Sequence, residues 1–279
     1  MTSTLPGDLS INPELVTEIL VRFIRNEITR TGFRRAVFGL SGGIDSSVVA
    51  YLAARAMGPD NVLAVTMPYK TSSDATRNDS QAVIEALGVR SLNVPITAQI
   101  DAYFAQFPDA ATLRLANKCA RERMTVLYDQ SAAFEGLVLG TSNKSELLLG
   151  YGTQFGDLAC ALNPVGDLYK TQLRELAAQV GVPRAVLDKP PSADLWEGQT
   201  DEGELGFTYE QADVLLFHLV DRRVRPTDLI AAGFDAALVA KIRERVRRNH
   251  FKRVMPLIAK LSLRTVGHDF LYPRDWEAD

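Results

Sequence analysis

The sequence predicts an α/β fold, namely a doubly wound parallel sheet with helices on both faces. Short apolar runs that fit buried strands alternate with longer helical patterns, which is typical of a parallel sheet. The chain has 279 residues, of which 46% are hydrophobic, enough for one large domain with a sizeable core. A Gly-Gly turn also joins the first strand to a helix. Such sheets bind ligands at that position, the carboxyl end of a strand.

The elements follow one another in a regular order. An amphipathic helix is predicted over residues 12–31, where apolar residues recur at near-helical spacing before Gly32. The predicted strands cover residues 36–40, 61–68, 89–95 and 136–140. The predicted helices cover residues 46–57, 75–87, 97–107, 112–133 and 171–180, with a short helix around Glu146 and C-terminal helices at 208–220, 227–232 and 234–249. Proline, glycine and acidic residues predict a loop over residues 189–206.

The turn after the first strand reads Ser-Gly-Gly-Ile-Asp-Ser over residues 41–46. Glycine lets the backbone approach a phosphate, and a helix N-terminus directs unpaired N–H groups and the positive end of its dipole to the same point. We expect Asp45, Ser46 or Ser47 to cap that helix. An ordinary strand-to-helix turn made of small residues is the simpler alternative.

The chemistry of this turn differs from that of other phosphate loops. It lacks the lysine of a Walker loop, and the chain has no G-x-G-x-x-G. It matches instead the loop of enzymes that cleave ATP between the α and β phosphates and hold the pyrophosphate. Asp45 adds a carboxylate, which suits a Mg²⁺ ion between the protein and the phosphates.

Composition argues against several classes of protein. A net charge of −3 leaves no broad basic face, so we expect no nucleic-acid partner. No apolar run approaches the roughly 18 residues of a membrane span, so we expect no membrane partner. The first residues lack the basic start and apolar stretch of a signal peptide, and we expect a cytoplasmic protein. Cys119 and Cys160 are then expected to be free thiols.

Six blocks of sequence are more specific than the loop alone. They read GLSGGIDSS, NKCARERM, LGTSNKSELLLGYGTQFGDL, NPVGDLYKTQ, PPSADLWEGQTDEGELGFTYE and FKR. In this order and spacing, covering the chain from about Ile11, they resemble the NAD synthetase family of the N-type ATP pyrophosphatase superfamily. Related ligases, such as GMP synthetase and asparagine synthetase, share mainly the first block.

The resemblance implies a reaction and a fold. The family converts deamido-NAD (nicotinic acid adenine dinucleotide), ATP and ammonia to NAD, AMP and pyrophosphate through an acyl-adenylate, with Mg²⁺ as cofactor. Its fold is adenine nucleotide alpha-hydrolase-like, and it is a homodimer with the dinucleotide at the interface. One branch is often fused to a glutaminase, for which this chain has no room, so we expect free ammonia as the nitrogen source.

The resemblance also implies one domain over residues 1–279. Its parts would be an N-terminal helix at about 12–31, an ATP pyrophosphatase core at about 33–190, a mobile loop at about 189–206 and a C-terminal helical part at about 207–279. We expect the mobile loop to close over bound ATP and to exclude water from the adenylate.

Roles for individual residues follow from the matching blocks. ATP would be bound by Gly39, Leu40, Ser41, Gly42, Gly43, Ile44, Asp45, Ser46, Thr141, Lys170 and Ser192. Mg²⁺ would be bound by Asp45 and Glu146, and deamido-NAD by Arg121, Gln154 and Lys252. The catalytic residues would be Asp45, Lys170 and Asp157. For Asp157 the hypothesis is our own, because its place between the other two blocks suits a carboxylate that attracts or deprotonates ammonium.

The chain departs from many family members at three positions. Gln154 stands where many have lysine, Ala161 where many have aspartate, and Phe251 where many have histidine, with His250 one place earlier. The lysine and the aspartate are linked to deamido-NAD in those members. The substrate contacts at these positions are therefore expected to differ.

Simpler interpretations of single residues stay open. Glu146 fits a surface helix carboxylate, Lys170 a lysine at a helix start, and Ser192 a turn cap. The charges of residues 112–133 fit a solvated helix face. Two other functions are alternatives: a ligase or thiolase acting on tRNA, and a non-enzymatic adenine-nucleotide sensor. The acidic balance argues against the first, and the Asp45–Glu146 pair would be unnecessary in the second.

Overall fold

A four-stranded parallel sheet forms the centre of the computed structural model, which describes residues 9–192 and 199–266. The strands are β1 (Arg35–Gly39), β2 (Val62–Thr66), β3 (Arg90–Asn93) and β4 (Gly136–Val138). Their order in the sheet is β3-β2-β1-β4, with every neighbouring pair parallel. The predicted parallel sheet is confirmed; β2, β3 and β4 are shorter than the apolar runs that predict them, and β1 has the predicted length but begins one residue earlier.

The strand order places a ligand crevice beside β1. The chain moves outward from β1 through β2 to β3 and then returns to add β4 on the other side of β1. Connections that leave β1 and β4 therefore diverge at their carboxyl ends, which is where open α/β sheets bind ligands. The predicted phosphate loop begins directly after β1, at this point of divergence.

Twelve α-helices lie within the described residues. They are α1 (Pro13–Arg30), α2 (Ile44–Met57), α3 (Asp74–Leu87), α4 (Thr97–Phe104), α5 (Thr112–Phe134), α6 (Lys144–Leu149), α7 (Lys170–Val180), α8 (Arg184–Leu187), α9 (Asp201–Leu205), α10 (Tyr209–Leu216), α11 (Pro226–Ala231) and α12 (Ala236–Arg248). A π-helical turn at Phe217–Asp221 continues α10, and a 3₁₀ turn at His250–Arg253 follows α12. Within these residues no helix is both long and apolar enough to cross a membrane.

The predicted loop at residues 189–206 is wrong over its last part, because Asp201–Leu205 forms α9. Thr200 caps this helix by accepting a hydrogen bond from the backbone N–H of Gly203, and Leu205 is buried. The acidic residues and the glycine favour a loop locally, but the cap and the buried leucine favour the helix. Residues 193–198 lie outside the described residues, so closure of this segment over ATP stays a prediction.

The predicted capping of α2 is also wrong. The helix begins at Ile44 with Gly43 as its N-cap, and no side chain caps it. Asp45 therefore lies inside the first turn. The hydroxyls of Ser46 and Ser47 instead donate hydrogen bonds to the carbonyl oxygen of Gly43, at 3.0 and 2.8 Å. The N–H groups at the helix start are consequently left without a side-chain cap.

Two apolar layers cover the sheet. On one face Ile24 of α1, Val48 of α2 and Leu173 of α7 belong to the main core. On the other face Val65 packs with Ile100 of α4 within a second buried cluster. Helices on both faces confirm the doubly wound arrangement.

The C-terminal helices have an apolar core of their own. Leu216, Val239 and Ile242 pack there with Leu149 of α6. This cluster holds α10 and α12 against α6, and so brings the C-terminal helices to the edge of the ligand crevice. Both cysteines, Cys119 and Cys160, are free thiols.

Candidate active site

A cavity of about 1300 Å³ opens at the carboxyl ends of the strands. Most of the predicted site residues line it: Gly39, Leu40, Ser41, Gly43, Ile44, Asp45, Ser46, Thr141, Glu146, Asp157, Lys170, Ser192 and Lys252. Gly42, Arg121 and Gln154 do not lie on its wall. The structure thus brings the predicted phosphate loop, metal ligands and Asp157 together around one space.

The loop after β1 has a shape that its sequence requires. Gly42 has a φ of 72°, in the left-handed region, and a Cβ there would lie 2.5 Å from the carbonyl oxygen of Thr76 in α3. Only glycine fits such a position. The backbone N–H of Ser41 donates to the hydroxyl of Ser46 at 3.2 Å, which closes the turn. The loop is therefore folded tightly before any ligand binds.

Three charged side chains meet beside this loop. Asp45 projects from the first turn of α2, Glu146 from α6 and Lys170 from the start of α7. The ammonium of Lys170 forms an ion pair with Asp45 and lies 3.5 Å from the carboxylate of Glu146. Lys170 is 1% exposed, so this group lies in a medium of low dielectric constant.

Burial and charge together set the protonation of these groups. Burial and the neighbouring charge of Asp45 raise the pKa of Glu146 to about 8, against the opposing effect of Lys170. Burial lowers the pKa of Lys170, but the carboxylates of Asp45 and Glu146 raise it more, so the net shift is upward. Lys170 is therefore a permanent cation, whereas Glu146 needs additional positive charge to ionise at neutral pH.

Asn143 holds the two carboxylates in place, and the sequence analysis missed it. Its amide nitrogen donates to Asp45 at 2.8 Å, and its amide oxygen accepts the backbone N–H of Glu146 at 3.0 Å. The side chain of Glu146 in turn accepts the backbone N–H of Asn143, which completes a capping box. The signal was present, because asparagine followed three residues later by glutamate is typical of a helix start.

Asp213 is a second missed residue, buried behind the charged group. One carboxylate oxygen accepts a hydrogen bond from the hydroxyl of Ser145 at 2.5 Å. The other accepts the backbone N–H and the hydroxyl of Thr171, both at 2.9 Å. The Ser145 hydroxyl also accepts the backbone N–H of Lys170. Asp213 therefore links the helices that carry Glu146 and Lys170.

The donor set beside the loop fits a magnesium ion that also binds phosphates. Asp45 and Glu146 offer carboxylate oxygens, which are the ligands Mg²⁺ prefers. The described residues contain no cluster of three or more histidine, cysteine, aspartate or glutamate side chains that could hold a metal. Mg²⁺ usually binds through one or two carboxylates together with substrate phosphates and water, so a pair is sufficient. The raised pKa of Glu146 also indicates a need for positive charge.

Another part of the cavity wall is formed by the turn after α6. Asp157 accepts the backbone N–H of Thr153 at 2.8 Å; the residue is exposed, but local desolvation raises the pKa of its carboxyl despite this bond and the positive charge of Lys252. Lys252 donates to the carbonyl oxygens of Gly150 and Gly152, both at 2.8 Å. This side chain thus fastens the C-terminal 3₁₀ turn to the turn that carries Asp157.

Arg121 and Gln154 lie next to this turn. The Arg121 guanidinium donates to the carbonyl oxygen of Gln154 at 3.3 Å, and the Gln154 amide donates to the carbonyl oxygen of Phe251 at 3.4 Å. Both side chains contact the backbone of neighbouring segments. Their predicted contact with the dinucleotide stays a prediction.

A layer of phenols and carboxylates connects α9 to the cavity wall. Tyr151 donates to Asp201 at 3.1 Å and to Glu204 at 3.2 Å, and Tyr209 donates to Asp201 at 3.3 Å. The Lys170 ammonium lies 5.3 Å from the centre of the Tyr209 ring. Through these bonds α9 packs directly against the charged group.

Comparison with known proteins identifies the family. The model of the family described as NAD synthase matches residues 16–256. The chain belongs to this family. The NH(3)-dependent NAD(+) synthetase of Trichlorobacter lovleyi is 57% identical over 268 residues, which cover 96% of this chain and 98% of that protein. The resemblance stated from the sequence blocks is thereby confirmed.

Solved structures of this NAD synthase family share its fold. The NH3-dependent NAD synthetase from Campylobacter jejuni, solved with nitrate, has a TM-score of 0.77 and 35% identity, and the match covers 90% of this chain and all of that one (100%). The NMN synthetase from Francisella tularensis has a TM-score of 0.80 and 31% identity over 90% of this chain and 99% of that one. These matches confirm the nucleotide alpha-hydrolase-like fold class.

Proposed function

We propose that this member of the NAD synthase family is an ATP-dependent ligase that amidates deamido-NAD to NAD with ammonia and releases AMP and pyrophosphate. The observation that carries the proposal is the group formed by Asp45, Glu146 and Lys170 beside the phosphate loop. It shares one cavity with Asp157 and Lys252. The NH(3)-dependent NAD(+) synthetase names of relatives at 57% and 55% identity support the same reaction.

The first step activates a poor electrophile. A carboxylate oxygen of deamido-NAD attacks the α-phosphorus of ATP, the bond from that phosphorus to the bridging oxygen breaks, and pyrophosphate leaves with the electron pair. The substrate supplies the nucleophile, so no serine, cysteine or histidine nucleophile is required. The uncapped N–H groups at the start of α2 and the Lys170 ammonium would stabilise the charge that develops on the leaving pyrophosphate.

Asp45 and Glu146 would hold a magnesium ion at this end of the cavity, together with the phosphates. When bound, the ion supplies positive charge to the phosphates and orients them. Asn143 fixes the direction of both carboxylates through the capping box. The roles of Thr141 and Ser192 in ATP binding rest on their places on the same wall.

The second step forms the amide. Ammonium first loses a proton, which Asp157 would accept, since the raised pKa of its carboxyl gives it a greater proton affinity. Ammonia then attacks the carbonyl carbon of the adenylate, the attacking nitrogen releases a proton to solvent, the bond from that carbon to the AMP oxygen breaks, and AMP leaves with the electron pair. Lys252 would bind the dinucleotide near this group.

We also propose that the chain forms a homodimer in the cytoplasm. Leu15 and Ile19 on α1 are more than half exposed, as are Leu257 and Leu261 in the segment after the last helix. Exposed apolar side chains in such numbers support a protein interface. The acidic net charge of −3 supports neither a nucleic-acid nor a membrane partner.

Amidation of the mononucleotide is a second candidate. The Francisella tularensis neighbour is an NMN synthetase and has a TM-score of 0.80 to this chain. This chain also lacks the lysine and aspartate that many NAD synthetases have at the positions of Gln154 and Ala161. Nicotinic acid mononucleotide would then replace deamido-NAD as the acid.

The deciding experiment is a turnover assay with purified protein, ATP and Mg²⁺. Deamido-NAD and nicotinic acid mononucleotide are offered separately and in competition, each with ammonium or with glutamine, and the amide product and AMP are followed. We expect NAD and AMP in equal amounts from deamido-NAD with ammonium. Preference for the mononucleotide would establish the second candidate, and AMP release without either amide would refute both. Product from glutamine would refute dependence on ammonia.

A further inference from the structure

One basic side chain on the cavity wall, unlike the others, has no hydrogen-bond or ion-pair partner among the described residues. Six basic side chains on the wall each have a partner within the protein: Lys70, Arg77, Arg123, Lys170, Lys189 and Lys252. Arg245 of α12 also lines the cavity, but its guanidinium makes no hydrogen bond or ion pair with any residue in the described ranges 9–192 and 199–266.

Exposure to water does not explain the lack of a partner for the Nε atom of Arg245. The residue as a whole is half-buried, but this atom is buried and has no acceptor within the described part of the chain. Burial lowers the pKa of this arginine, and Tyr151, Tyr209 and Glu204 lie near enough to act on it electrostatically. A buried donor without an acceptor is costly to a folded protein, so such groups require an explanation. A ligand that supplies the acceptor is one.

The position of Arg245 indicates which ligand. Its positive charge contributes to the lowered pKa of Lys252, so the two cations are neighbours on the wall near Asp157. Tyr209, whose ring centre lies 5.3 Å from the Lys170 ammonium, also acts electrostatically on Arg245. Arg245 therefore lies near both Lys252 and the charged group beside the phosphate loop. In the proposed function, the reacting acid would bind near these cations.

We propose that Arg245 binds an oxyanion of the dinucleotide substrate. The planar guanidinium presents a fork of donors that matches the two oxygens of a carboxylate or a phosphate. The oxyanion can be the nicotinate carboxylate or the pyrophosphate of the same molecule. The inference rests on the proposed function, because deamido-NAD supplies both groups.

The natural pair of substrate and product distinguishes the two sources. Deamido-NAD and NAD differ only in carrying a carboxylate or a neutral amide on the nicotinoyl ring. The test compares the dissociation constants of deamido-NAD, NAD and ATP, measured by titration calorimetry on the full chain. The variants are Arg245→Met, which keeps the apolar stem, and Arg245→Lys, which keeps the charge without the fork. Arg243→Met removes an exposed arginine two positions away on the same helix and serves as the matched control.

Arg245→Met should weaken deamido-NAD binding at least tenfold, while Arg245→Lys restores part of it and Arg243→Met changes it less than twofold. Unchanged NAD binding would assign the oxyanion to the carboxylate, and equal loss for both dinucleotides would assign it to the pyrophosphate. A loss confined to ATP, or no loss, would overturn the inference. So would an equal loss in Arg243→Met.

Stability provides a second readout that a structural role would not give. Removing a half-buried guanidinium whose buried Nε atom has no acceptor should leave the unfolding temperature of the ligand-free Arg245→Met protein equal to or above that of the wild type. A lower unfolding temperature would instead place Arg245 among the structural residues and overturn the inference. If the wild type itself fails to amidate deamido-NAD, the proposed function fails. A working wild type with an unaffected Arg245→Met variant refutes only the role of Arg245.

Discussion

The two ends of the cavity differ in how their charges are held. At the phosphate-loop end, Lys170 is paired with Asp45 and Glu146, so we call it the paired end. Asn143 bonds there to the side chain of Asp45 and to the backbone N–H of Glu146. At the other end, Lys252 bonds only to backbone carbonyl oxygens among the described residues, and Arg245 bonds to none of these residues. The charges of the first end are paired with one another. The second end holds one cation, Arg245, without such a partner.

The difference follows from the elements that build each end. Asp45 and Glu146 project from the first turns of helices that follow β1 and β4, and Lys170 is the first residue of α7. The other end combines the turn after α6 with the 3₁₀ turn His250–Arg253. Rigid elements suit the positioning of phosphates for in-line attack. Turns suit a surface that adapts to a larger substrate.

Lys170→Met should produce the largest effect, because it removes the only charge that balances both carboxylates within the described residues. We expect kcat/KM to fall on the order of 10²–10³-fold, as for the loss of one donor that stabilises a developing oxyanion. Steady-state assays of AMP and NAD formation measure this.

Lys144→Met is the matched control for that variant. Lys144 begins α6 and pairs with Asp167 and Asp221, but it does not line the cavity. Because Lys144 lies outside the cavity, its replacement should change kcat/KM less than about threefold, a barrier change below about 0.7 kcal/mol. Similar losses in both variants, or turnover by Lys170→Met within threefold of the wild type, would show that the paired end is not the catalytic one.

The sequence predicts the paired end better than the other. Asp45, Glu146 and Lys170 fall in blocks with local signals, a glycine turn and two helix starts, and the structure brings them together. Asp213 had no such signal, because its partners Ser145 and Thr171 are 68 and 42 positions away in the chain. Hydrogen bonds between distant segments leave no periodic pattern in a sequence.

The same reason explains the errors in secondary structure. The strands and most helices follow from periodicity and caps, which are local. Helix α9 has a local cap in Thr200, but it was missed because one of its contacts is not local: Tyr151, 50 positions away in the chain, donates a hydrogen bond to Asp201. Arg245 also carries no local signal, because it is one of several arginines in α12 and only the structure places it on the cavity wall.

Asp213→Asn should have an intermediate effect and tests why the paired end is rigid. Asparagine has one carbonyl oxygen, so it cannot accept the hydrogen bonds of Ser145 and Thr171 on both sides as the carboxylate does. A buried donor left unpaired costs about 1–3 kcal/mol of unfolding free energy. Because the linked helices carry Glu146 and Lys170, kcat should fall about tenfold, a barrier increase of about 1.4 kcal/mol.

The KM for deamido-NAD should remain near the wild-type value in Asp213→Asn, since the other end of the cavity is formed by the turn after α6 and the C-terminal 3₁₀ turn, two described segments with which Asp213 forms no hydrogen bond. Urea unfolding and steady-state kinetics measure the two quantities. Asp228→Asn is the control, because Asp228 bonds to Arg225 on the surface and its replacement should leave the unfolding free energy nearly unchanged. A raised KM with unchanged kcat would mean that the two ends are not independent.

Glu146→Gln sharpens the comparison, because it asks whether the paired end is balanced without a metal ion. The pKa of Glu146 is raised by burial and by Asp45 to about 8, above its ordinary value of 4.5. As the pH rises, the Glu146 carboxyl therefore loses its proton at a lower pH in the unfolded chain than in the folded chain. The ligand-free wild type loses stability through this group between about pH 4.5 and 8, and the loss is complete above the folded pKa.

Glutamine stays neutral, so the unfolding temperature of Glu146→Gln should rise relative to the wild type across this window and then remain level. Calorimetry from pH 5 to 9 without ATP or divalent ions measures the difference. Glu244→Gln is the control, because Arg247 holds the pKa of Glu244 below its usual range. Its difference in unfolding temperature from the wild type should therefore not vary with pH above pH 5. With Mg²⁺ and a non-hydrolysable ATP analogue, the advantage of Glu146→Gln should reverse, since the added positive charge stabilises the ionised carboxylate only in the wild type. The prediction fails if the difference in unfolding temperature between Glu146→Gln and the wild type does not depend on pH, or does not respond to Mg²⁺ and the ATP analogue. Either result would mean that the charges of Asp45, Glu146 and Lys170 are already balanced without a further cation.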